Sequence, residues 1–276
     1  MISMIAHAKI NIGLKILNKR EDGYHNLETT FSTISLADEI KLEESGETIE
    51  IQCPGLKIPQ SENICDKAVR LIRAECNISK GVRISVKKRI PIGGGLGGGS
   101  ADAAAVLKGL NKMWSLSISD DQLMKLGRKL GCDVPFLVRG GAAYARGLGE
   151  ELTFFKLPKM RLLIYYPGYP VSTKWAYEEY DKKVLTSMPE MDIINGKKKK
   201  KPRVGMSISN DFEPFVFNRY PDLMDVKSHM LANGAFLVSL SGSGSCVYAV
   251  VDDKMKDKLI KYLIGIDAIY FDAETI

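Results

Sequence analysis

The chain has 276 residues, enough for one large domain or two modest ones. Hydrophobic residues make up 45% of it and charged residues 26%, which is ordinary for a soluble globular protein. The net charge is +6, and Lys197–Lys201 with Arg203 supply six positive charges by themselves, so the rest is close to neutral. This distribution argues against a nucleic-acid-binding body and is compatible with an anionic substrate.

The N-terminal segment is apolar but is interrupted by Lys9, Asn11 and Lys15, and it lacks the features of a signal peptide. No apolar stretch is long enough to span a bilayer. We therefore expect a cytoplasmic protein with no membrane partner. The five cysteines are odd in number and form no C-x-x-C pair, so neither a zinc site nor a disulfide framework is indicated.

Hydrophobic periodicity and turn residues predict mixed strands and helices in the first half of the chain. Predicted strands are Ile5–Leu17, Phe31–Leu42, Thr48–Cys53, Val82–Val86 and Gly140–Ala145, and predicted helices are Ile64–Cys76, Ser100–Trp114 and Asp120–Leu130. The segment Val134–Val138 is apolar but too short to be assigned a type. A break follows near Pro158, which lies among lysines.

The second half has the same mixture. Predicted strands are Arg161–Tyr166, Phe236–Ser239 and Val247–Val251, and predicted helices are Asp211–Asn218, Pro221–Asn233 and Met255–Leu263. We therefore predict an α+β protein of two domains, residues 1–157 and 158–276. The lysine run has no interleaved aromatic residues, so we expect a solvated loop there and no nucleic-acid partner.

The segment Pro91–Ser100 reads PIGGGLGGGS and is the strongest functional signal. Its six glycines leave much of the backbone without side chains, so backbone N–H groups can approach a phosphate closely. The helix that follows offers its N-terminus to an anion. We expect Ser100 at the N-cap, with its hydroxyl available to phosphate or Mg²⁺. No Lys-Ser/Thr follows, so this is not the usual phosphate-binding loop. Asp102 would repel phosphate unless it points outward.

Three further segments contain candidate functional residues. Lys9 and Asn11 face the same side of an apolar strand, where the lysine either pairs with an acid in a cleft or reaches the surface. Asp133 follows a helix-ending glycine and is either a helix cap or a functional carboxylate. The turn Ser241–Ser245 is either an ordinary hairpin or a close approach to a phosphate or substrate.

Taken in order, these segments resemble the GHMP kinase superfamily, which includes galactokinase, homoserine kinase and mevalonate kinase. The match is closest to the 4-diphosphocytidyl-2-C-methyl-D-erythritol kinase family and spans nearly the whole chain. Asp22–His25, reading DGYH, is its most specific part, because other superfamily members generally lack this element. The segments that carry the resemblance are HAKINIGL, REDGYHNLET, PIGGGLGGGSADAA, LGCDVPF, GLGEEL, NDFEP and SGSGSCV.

The resemblance implies two α+β domains, a ribosomal-protein-like N-terminal domain and a ferredoxin-like C-terminal domain, with a cleft between them. It implies transfer of the γ-phosphoryl group of ATP, with Mg²⁺, to the 2-hydroxyl of a cytidine-diphosphate-linked methylerythritol. This is a step of the non-mevalonate route to isoprenoid precursors. We expect a monomer or weak homodimer. The alternatives are a mevalonate or homoserine kinase and a binding module without catalysis.

The resemblance also assigns roles to residues. Lys9 and Asp133 are the implied catalytic pair, in which Asp133 accepts the hydroxyl proton, as an early base or as a positioning group, and Lys9 keeps it ionised. Implied substrate contacts are Asn11, Tyr24, His25, Tyr177, Gly242 and Gly244, with Trp175 as an alternative to Tyr177 for stacking on cytosine. Implied ATP contacts are Pro91, Gly93, Gly94, Gly95, Leu96, Gly97, Gly98, Gly99, Ser100, Asn63 and Lys88, and Ser100 is also the implied Mg²⁺ ligand.

Overall fold

The structure is a computed structural model that describes residues 1–56, 58–186 and 209–276. The lysine run Lys197–Lys201 lies outside the described residues, so its predicted solvated loop stays a prediction. Two β-sheets organise the described chain.

The first sheet has six strands and is built around two long antiparallel strands. The alternation of apolar residues along both long strands buries one face of each against helices. β4 and β5 both pair with β2, and β3 joins β4 in parallel. The strands are β1 (Ile2–Lys19), β2 (His25–Glu44), β3 (Ile49–Gln52), β4 (Val82–Lys87), β5 (Ala142–Arg146) and β6 (Glu151–Phe155).

Four helices cover this sheet: α1 (Ile64–Cys76), α2 (Gly98–Met113), α3 (Asp120–Arg128) and α4 (Val134–Arg139). The small residues of α2 let it pack very close to the strands. A Cβ added at Gly109 would come within 2.1 Å of Leu42 Cδ1. This close packing fixes the distance between α2 and the sheet.

The second sheet has four strands in the order β10-β7-β9-β8, and every pairing is antiparallel. Helices and strands follow one another as β-α-β-β-α-β, with a second and third helix in the first crossover. The elements are β7 (Arg161–Tyr166), α5 (Thr173–Thr186), α6 (Glu213–Arg219), α7 (Pro221–Ala232), β8 (Leu237–Leu240), β9 (Val247–Val251), α8 (Asp253–Gly265) and β10 (Ile269–Glu274). The predicted α+β class with a ferredoxin-like C-terminal part is therefore confirmed.

The chain passes from one sheet to the other between β6 and β7. On that ground we propose the domain boundary at residues 157 and 158. Among the helices that the structure describes, none has the length and apolar character that crossing a membrane requires.

The prediction that Ser100 is an N-cap is wrong. Gly97 occupies the N-cap in a left-handed conformation, so α2 begins at Gly98 and Ser100 lies in its first turn. A run of glycines carries no side-chain capping signal, which is why the sequence pattern placed the start of the helix too late. The segment Val134–Val138 proved to be α4, and the sequence analysis missed α5, β6 and β10.

The two sheets meet at the glycine-rich loop Pro91–Ser100. Its Gly94 carbonyl accepts a hydrogen bond from Cys246 N at 3.0 Å, and its Gly95 carbonyl accepts one from Ser241 Oγ at 2.9 Å. Gly95 has a φ of +77°, and a Cβ there would lie 2.0 Å from Ser241 O. Only glycine satisfies both the backbone conformation and the contact.

We expect Gly95→Ala to lower the free energy of unfolding by about 3 kcal/mol, because it adds a backbone clash to an unfavourable φ. Chemical denaturation followed by circular dichroism measures this change. Gly55→Ala is the matched control, since Gly55 has a φ of +86° with nothing within 4 Å of the added Cβ. Equal losses in the two variants would contradict the packing argument.

Candidate functional site

The glycine-rich loop is held by its carbonyl groups. Four consecutive carbonyl oxygens accept hydrogen bonds from β1 and from the C-terminal half. These bonds run from Val171 N to Gly93 O, from Cys246 N to Gly94 O, from Ser241 Oγ to Gly95 O and from Lys9 N to Leu96 O. In a trans peptide the N–H points away from the preceding carbonyl. The next N–H groups therefore point away from the protein contacts, as a phosphate cradle requires.

The N-terminus of α2 completes this cradle. The first N–H groups of a helix have no partner within it, and the helix dipole favours an anion there. Ser100 is half-buried in this first turn, and its Oγ would lie 3.8 Å from a Cβ on Gly131. The hydroxyl therefore lies beside the turn that carries Asp133.

A buried cluster of charges supports the loop from β2 and β4. Lys88 Nζ donates to Asp38 Oδ2 at 2.5 Å and to Asp102 Oδ2 at 2.7 Å. The other oxygen of Asp38 accepts the backbone N–H groups of Arg89 and Ile90, where the chain leaves β4 for the loop. Asp38 is fully buried, so one carboxylate fixes the entry to the loop.

The expectation that Asp102 points outward is wrong: its side chain is buried and directed towards Lys88. Burial, only partly offset by Lys88, raises the pKa of Asp102 to about 7. Burial by itself lowers the pKa of Lys88, but the two carboxylates outweigh it and raise that pKa. Asp102 Oδ1 has no hydrogen-bond partner in the described chain. The repulsion between Asp102 and a phosphate that the sequence raised is thus reduced by its pairing and its raised pKa.

Lys9 lies 5% exposed in the middle of β1, between the loop and α4. Its Nζ donates to Asn11 Oδ1 at 2.5 Å and lies 3.6 Å from Asp133 Oδ2. Lys9 therefore does not reach the surface. Asp133 occupies the N-cap position of α4 but its side chain makes no capping hydrogen bond, and it is 31% exposed. The carboxylate is thus partly open to solvent and does not cap the helix.

Two polar contacts fix Asn11, and the second glycine turn packs against it. Asn11 Nδ2 donates to Thr29 Oγ1 at 3.0 Å, and the Asn11 carbonyl accepts from Tyr248 OH at 2.9 Å. A Cβ on Gly242 would lie 3.3 Å from Asn11 Oδ1 and 3.7 Å from Lys9 Nζ. The turn Ser241–Ser245 therefore closes over the Lys9 side chain, which an ordinary exposed hairpin would not do.

An aromatic group surrounds His25. The His25 ring stacks on Tyr177 at a centroid distance of 5.0 Å, and Tyr180 meets its edge. His25 Nε2 lies 2.7 Å from Asp181 Oδ1. Burial and the nearby charge of Asp133 raise the pKa of Tyr177 to about 12. Tyr177 thus stacks on His25 and lies near enough to Asp133 for the charge of that carboxylate to act on its phenol.

The structure separates the two candidate aromatic residues of α5. Trp175 packs edge-on against Tyr220, away from His25, whereas Tyr177 lies on the His25 ring. Tyr24 stands 64% exposed on the turn between β1 and β2. Its ring is therefore accessible to a ligand.

The two remaining nucleotide candidates have structural partners. Asn63 caps α1, and its side chain accepts the backbone N–H of Cys65 at 2.9 Å. Lys88 Nζ would lie 3.4 Å from a Cβ on Gly98, while its neighbour Lys87 points outward to Glu39. Lys88 is therefore the lysine beside the loop.

Sequence reasoning missed Asp38, Asp181 and Asn210. Asn210 donates to the carbonyls of Leu240 and Gly242 and so holds the second glycine turn. It belongs to the NDFEP segment, where only the resemblance drew attention to it. Asp38 and Asp181 stand in ordinary polar patterns of a strand and a helix, so no signal in the sequence distinguishes them.

We expect Asp38→Asn to lower the free energy of unfolding by about 3 kcal/mol, because Lys88 loses one partner of a largely buried ion pair. Urea denaturation measures this loss. The neighbouring Glu39→Gln is the control: this side chain is 38% exposed and pairs with Lys87 and Arg89, so it should cost about 0.5 kcal/mol. A loss of unfolding free energy in Asp38→Asn as small as that of the control would refute the role of Asp38 in fixing the entry to the loop.

Two family domains match the chain. The GHMP kinases N terminal domain matches residues 63–141, and the GHMP kinases C terminal domain matches residues 200–263. A solved structure of a 4-(cytidine 5'-diphospho)-2C-methyl-D-erythritol kinase is 31% identical, covers 99% of both chains and superposes with a TM-score of 0.79. The mevalonate kinase of Methanococcus jannaschii, 16% identical with a TM-score of 0.70 over 100% of this chain and 98% of its own, shares the fold.

Curated relatives are similar over almost their whole lengths. The 4-diphosphocytidyl-2-C-methyl-D-erythritol kinase of Prosthecochloris aestuarii is 39% identical over 91% of this chain and 90% of its own. The enzyme of the same name from Thermoanaerobacter sp. is 34% identical over 100% of this chain and 96% of its own. Together with the fold and the residues gathered around Lys9, these similarities show that the chain belongs to the 4-diphosphocytidyl-2-C-methyl-D-erythritol kinase family of the GHMP kinases.

Proposed function

We propose that this protein transfers the γ-phosphoryl group of ATP to the 2-hydroxyl of 4-diphosphocytidyl-2-C-methyl-D-erythritol, in the non-mevalonate route to isoprenoid precursors. One observation carries the proposal. Lys9 bonds through its backbone N–H to Leu96 O of the glycine-rich loop and pairs through its side chain with Asp133, and the charge of Asp133 acts on Tyr177, which stacks on His25. A phosphate donor and a base-tagged acceptor would therefore meet at this pair.

The donor would lie on the glycine-rich loop and the N-terminus of α2. The N–H groups that follow the four bonded carbonyls would bind the phosphates, since the loop carries no lysine of its own for this task. Pro91, Asn63 and Lys88 stay predicted nucleotide contacts. The partners found for Lys88 favour a role in holding the loop, which its carboxylate bonds anchor.

Ser100 fits the predicted role of Mg²⁺ ligand through its hydroxyl in the first turn of α2, beside the turn of Asp133. The described residues contain no group of three His, Cys, Asp or Glu side chains that would hold a metal by themselves. Mg²⁺ would therefore be held by Ser100 and the phosphates of ATP, as is common for this ion. When bound it would neutralise phosphate charge during the transfer.

At the acceptor, Asp133 would take the proton of the 2-hydroxyl while that oxygen bonds to the γ-phosphorus and the bond to the ADP oxygen breaks. Lys9 would hold Asp133 ionised and stabilise charge that develops near the acceptor oxygen. Asn11 holds Lys9 in place through its 2.5 Å hydrogen bond. Gly242, which packs against both side chains, would let the acceptor approach closely.

The cytosine would be bound by Tyr24, His25 and Tyr177. Tyr24 is exposed on the β1–β2 turn, so its face is available for stacking. Tyr177 stays a predicted stacking partner, since its ring already lies on His25. The ring nitrogens of His25 would form hydrogen bonds with the polar edge of the cytosine. A role for Gly244 in the acceptor site stays a prediction.

Turnover measured by coupled ADP release with three acceptors tests the proposed substrate. We expect turnover with the cytidyl substrate and, because mevalonate and homoserine offer no base to stack, at least about 100-fold lower kcat/KM with either of them. Release of ADP only with mevalonate or homoserine would overturn the proposal. Binding of the cytidyl substrate and ATP without turnover would instead indicate a binding module.

We expect Asp133→Asn to lower kcat about 10³-fold, because its proton-accepting oxygen is lost, and to lower the melting temperature somewhat, because the buried Lys9 loses its ionised partner although the side chain caps no helix. Steady-state kinetics and a thermal melt measure both effects. Asp121→Asn makes the same chemical change at an exposed position of α3 and serves as the control. If Asp133→Asn turned over like the control, the assigned catalytic role would be wrong.

A further inference from the structure

His25, Asp181 and Lys19 form a chain of polar contacts that begins at one ring nitrogen of His25. Asp181 on α5 lies between His25 and Lys19: its Oδ1 is 2.7 Å from His25 Nε2, and its Oδ2 accepts from Lys19 Nζ at 2.6 Å. Burial opposes ionisation of Asp181, but the hydrogen bonds and charges of Lys19 and His25 outweigh it and lower its pKa. The carboxylate is thus a pure acceptor, so the hydrogen between it and His25 must sit on Nε2.

The orientation of the His25 ring is fixed as well. Tyr177 covers one face in a stacked arrangement with an interplanar angle of 13°, and Tyr180 meets the ring at 84°. A ring held on a face and at Nε2 has little freedom to flip. Its position relative to the cleft is therefore set by α5, which belongs to the other half of the chain.

The second ring nitrogen, Nδ1, is what His25 can present to a ligand. In the part of the chain that the structure describes, the Nδ1 atom of His25 has no hydrogen-bond partner. This atom is not completely sealed from solvent. In a neutral imidazole with its hydrogen on Nε2, Nδ1 is an acceptor. An acceptor at this point matches a base that offers an amino group and mismatches one that offers a carbonyl oxygen.

We propose that Asp181 is a positioning residue that determines base specificity: it holds His25 in the tautomer whose Nδ1 accepts, so that the site selects a 4-amino pyrimidine over a 4-oxo pyrimidine. Cytosine carries the amino group and uracil the oxo group. This inference rests on the proposed function for the presence of a pyrimidine at His25. Lys19 contributes by keeping Asp181 ionised and oriented.

Two measurements test the inference. The first is the ratio of kcat/KM for the cytidyl substrate to that for its uridyl analogue. We expect Asp181→Ala to reduce this ratio about tenfold, mainly by raising KM for the cytidyl substrate, with kcat changed less than about twofold. Glu178→Ala is the matched control, because it removes a carboxylate one turn away on the same helix, where it pairs only loosely with Lys174.

The second measurement is ¹⁵N NMR of the histidine side chains in the ligand-free protein, with the His25 signals assigned through His25→Gln. The wild type should show the Nε2–H tautomer, and Asp181→Ala should shift His25 towards a mixture of tautomers. An Nδ1–H tautomer or an imidazolium in the wild type would overturn the inference, as would an unchanged cytidyl-to-uridyl ratio in Asp181→Ala.

The two measurements also separate this inference from the proposed function. A wild type that phosphorylates neither pyrimidine substrate refutes the proposed function and with it the role of Asp181 in base selection. A wild type that prefers the cytidyl substrate, together with a variant that keeps the same preference, refutes the role of Asp181 alone.

Discussion

Burial of the Lys9 ammonium group in the middle of β1 is the constraint on which the site depends. A charged amine there would be strongly unfavourable without partners, and the chain supplies Asn11 at 2.5 Å and Asp133 at 3.6 Å. Space around the side chain is also limited, since a Cβ on Gly97 would come 3.0 Å from Lys9 Cγ. The glycine-rich loop and the turn Ser241–Ser245 therefore both pack around this lysine. Their small residues are needed for this packing as well as for any approach of a ligand.

Charge is arranged in two separate groups around the glycine-rich loop. Lys88 with Asp38 and Asp102 lies at the loop's entry and around the start of α2, where Asp38 binds Lys88 and backbone N–H groups and one oxygen of Asp102 binds Lys88. Lys9 with Asp133 lies on the cleft side, where the carboxylate remains partly exposed. One group thus has the character of a structural anchor and the other that of a reactive pair, although both consist of a lysine and acids.

The proposed acceptor side combines residues from both halves of the chain. The β1–β2 turn supplies Tyr24 and His25, and α5 supplies Tyr177 and Asp181. Because each half contributes one part, the relative placement of the two sheets determines whether the aromatic group forms at all. The hydrogen bonds from Ser241 and Cys246 to the glycine-rich loop help to fix that placement.

The sequence by itself determined the local structure wherever periodicity and turn residues were strong. Helix Ile64–Cys76 and strands Arg161–Tyr166 and Val247–Val251 have the predicted bounds. It also singled out the glycine-rich loop, and with the family resemblance it nominated Lys9, Asp133 and His25. It failed at the start of α2, where a glycine run gives no capping signal, and at α5, β6 and β10, where the pattern is weak.

Only the tertiary structure decided which side chains meet. The 50 positions between Asp38 and Lys88 and the 156 between His25 and Asp181 lie beyond any local pattern, because such contacts arise from how two sheets and their helices pack. The same packing showed that Asp133 pairs with Lys9 instead of capping α4 and that Tyr177, not Trp175, lies on His25. The sequence could name the chemical groups, whereas their distances and partners depend on long-range packing that no short segment encodes.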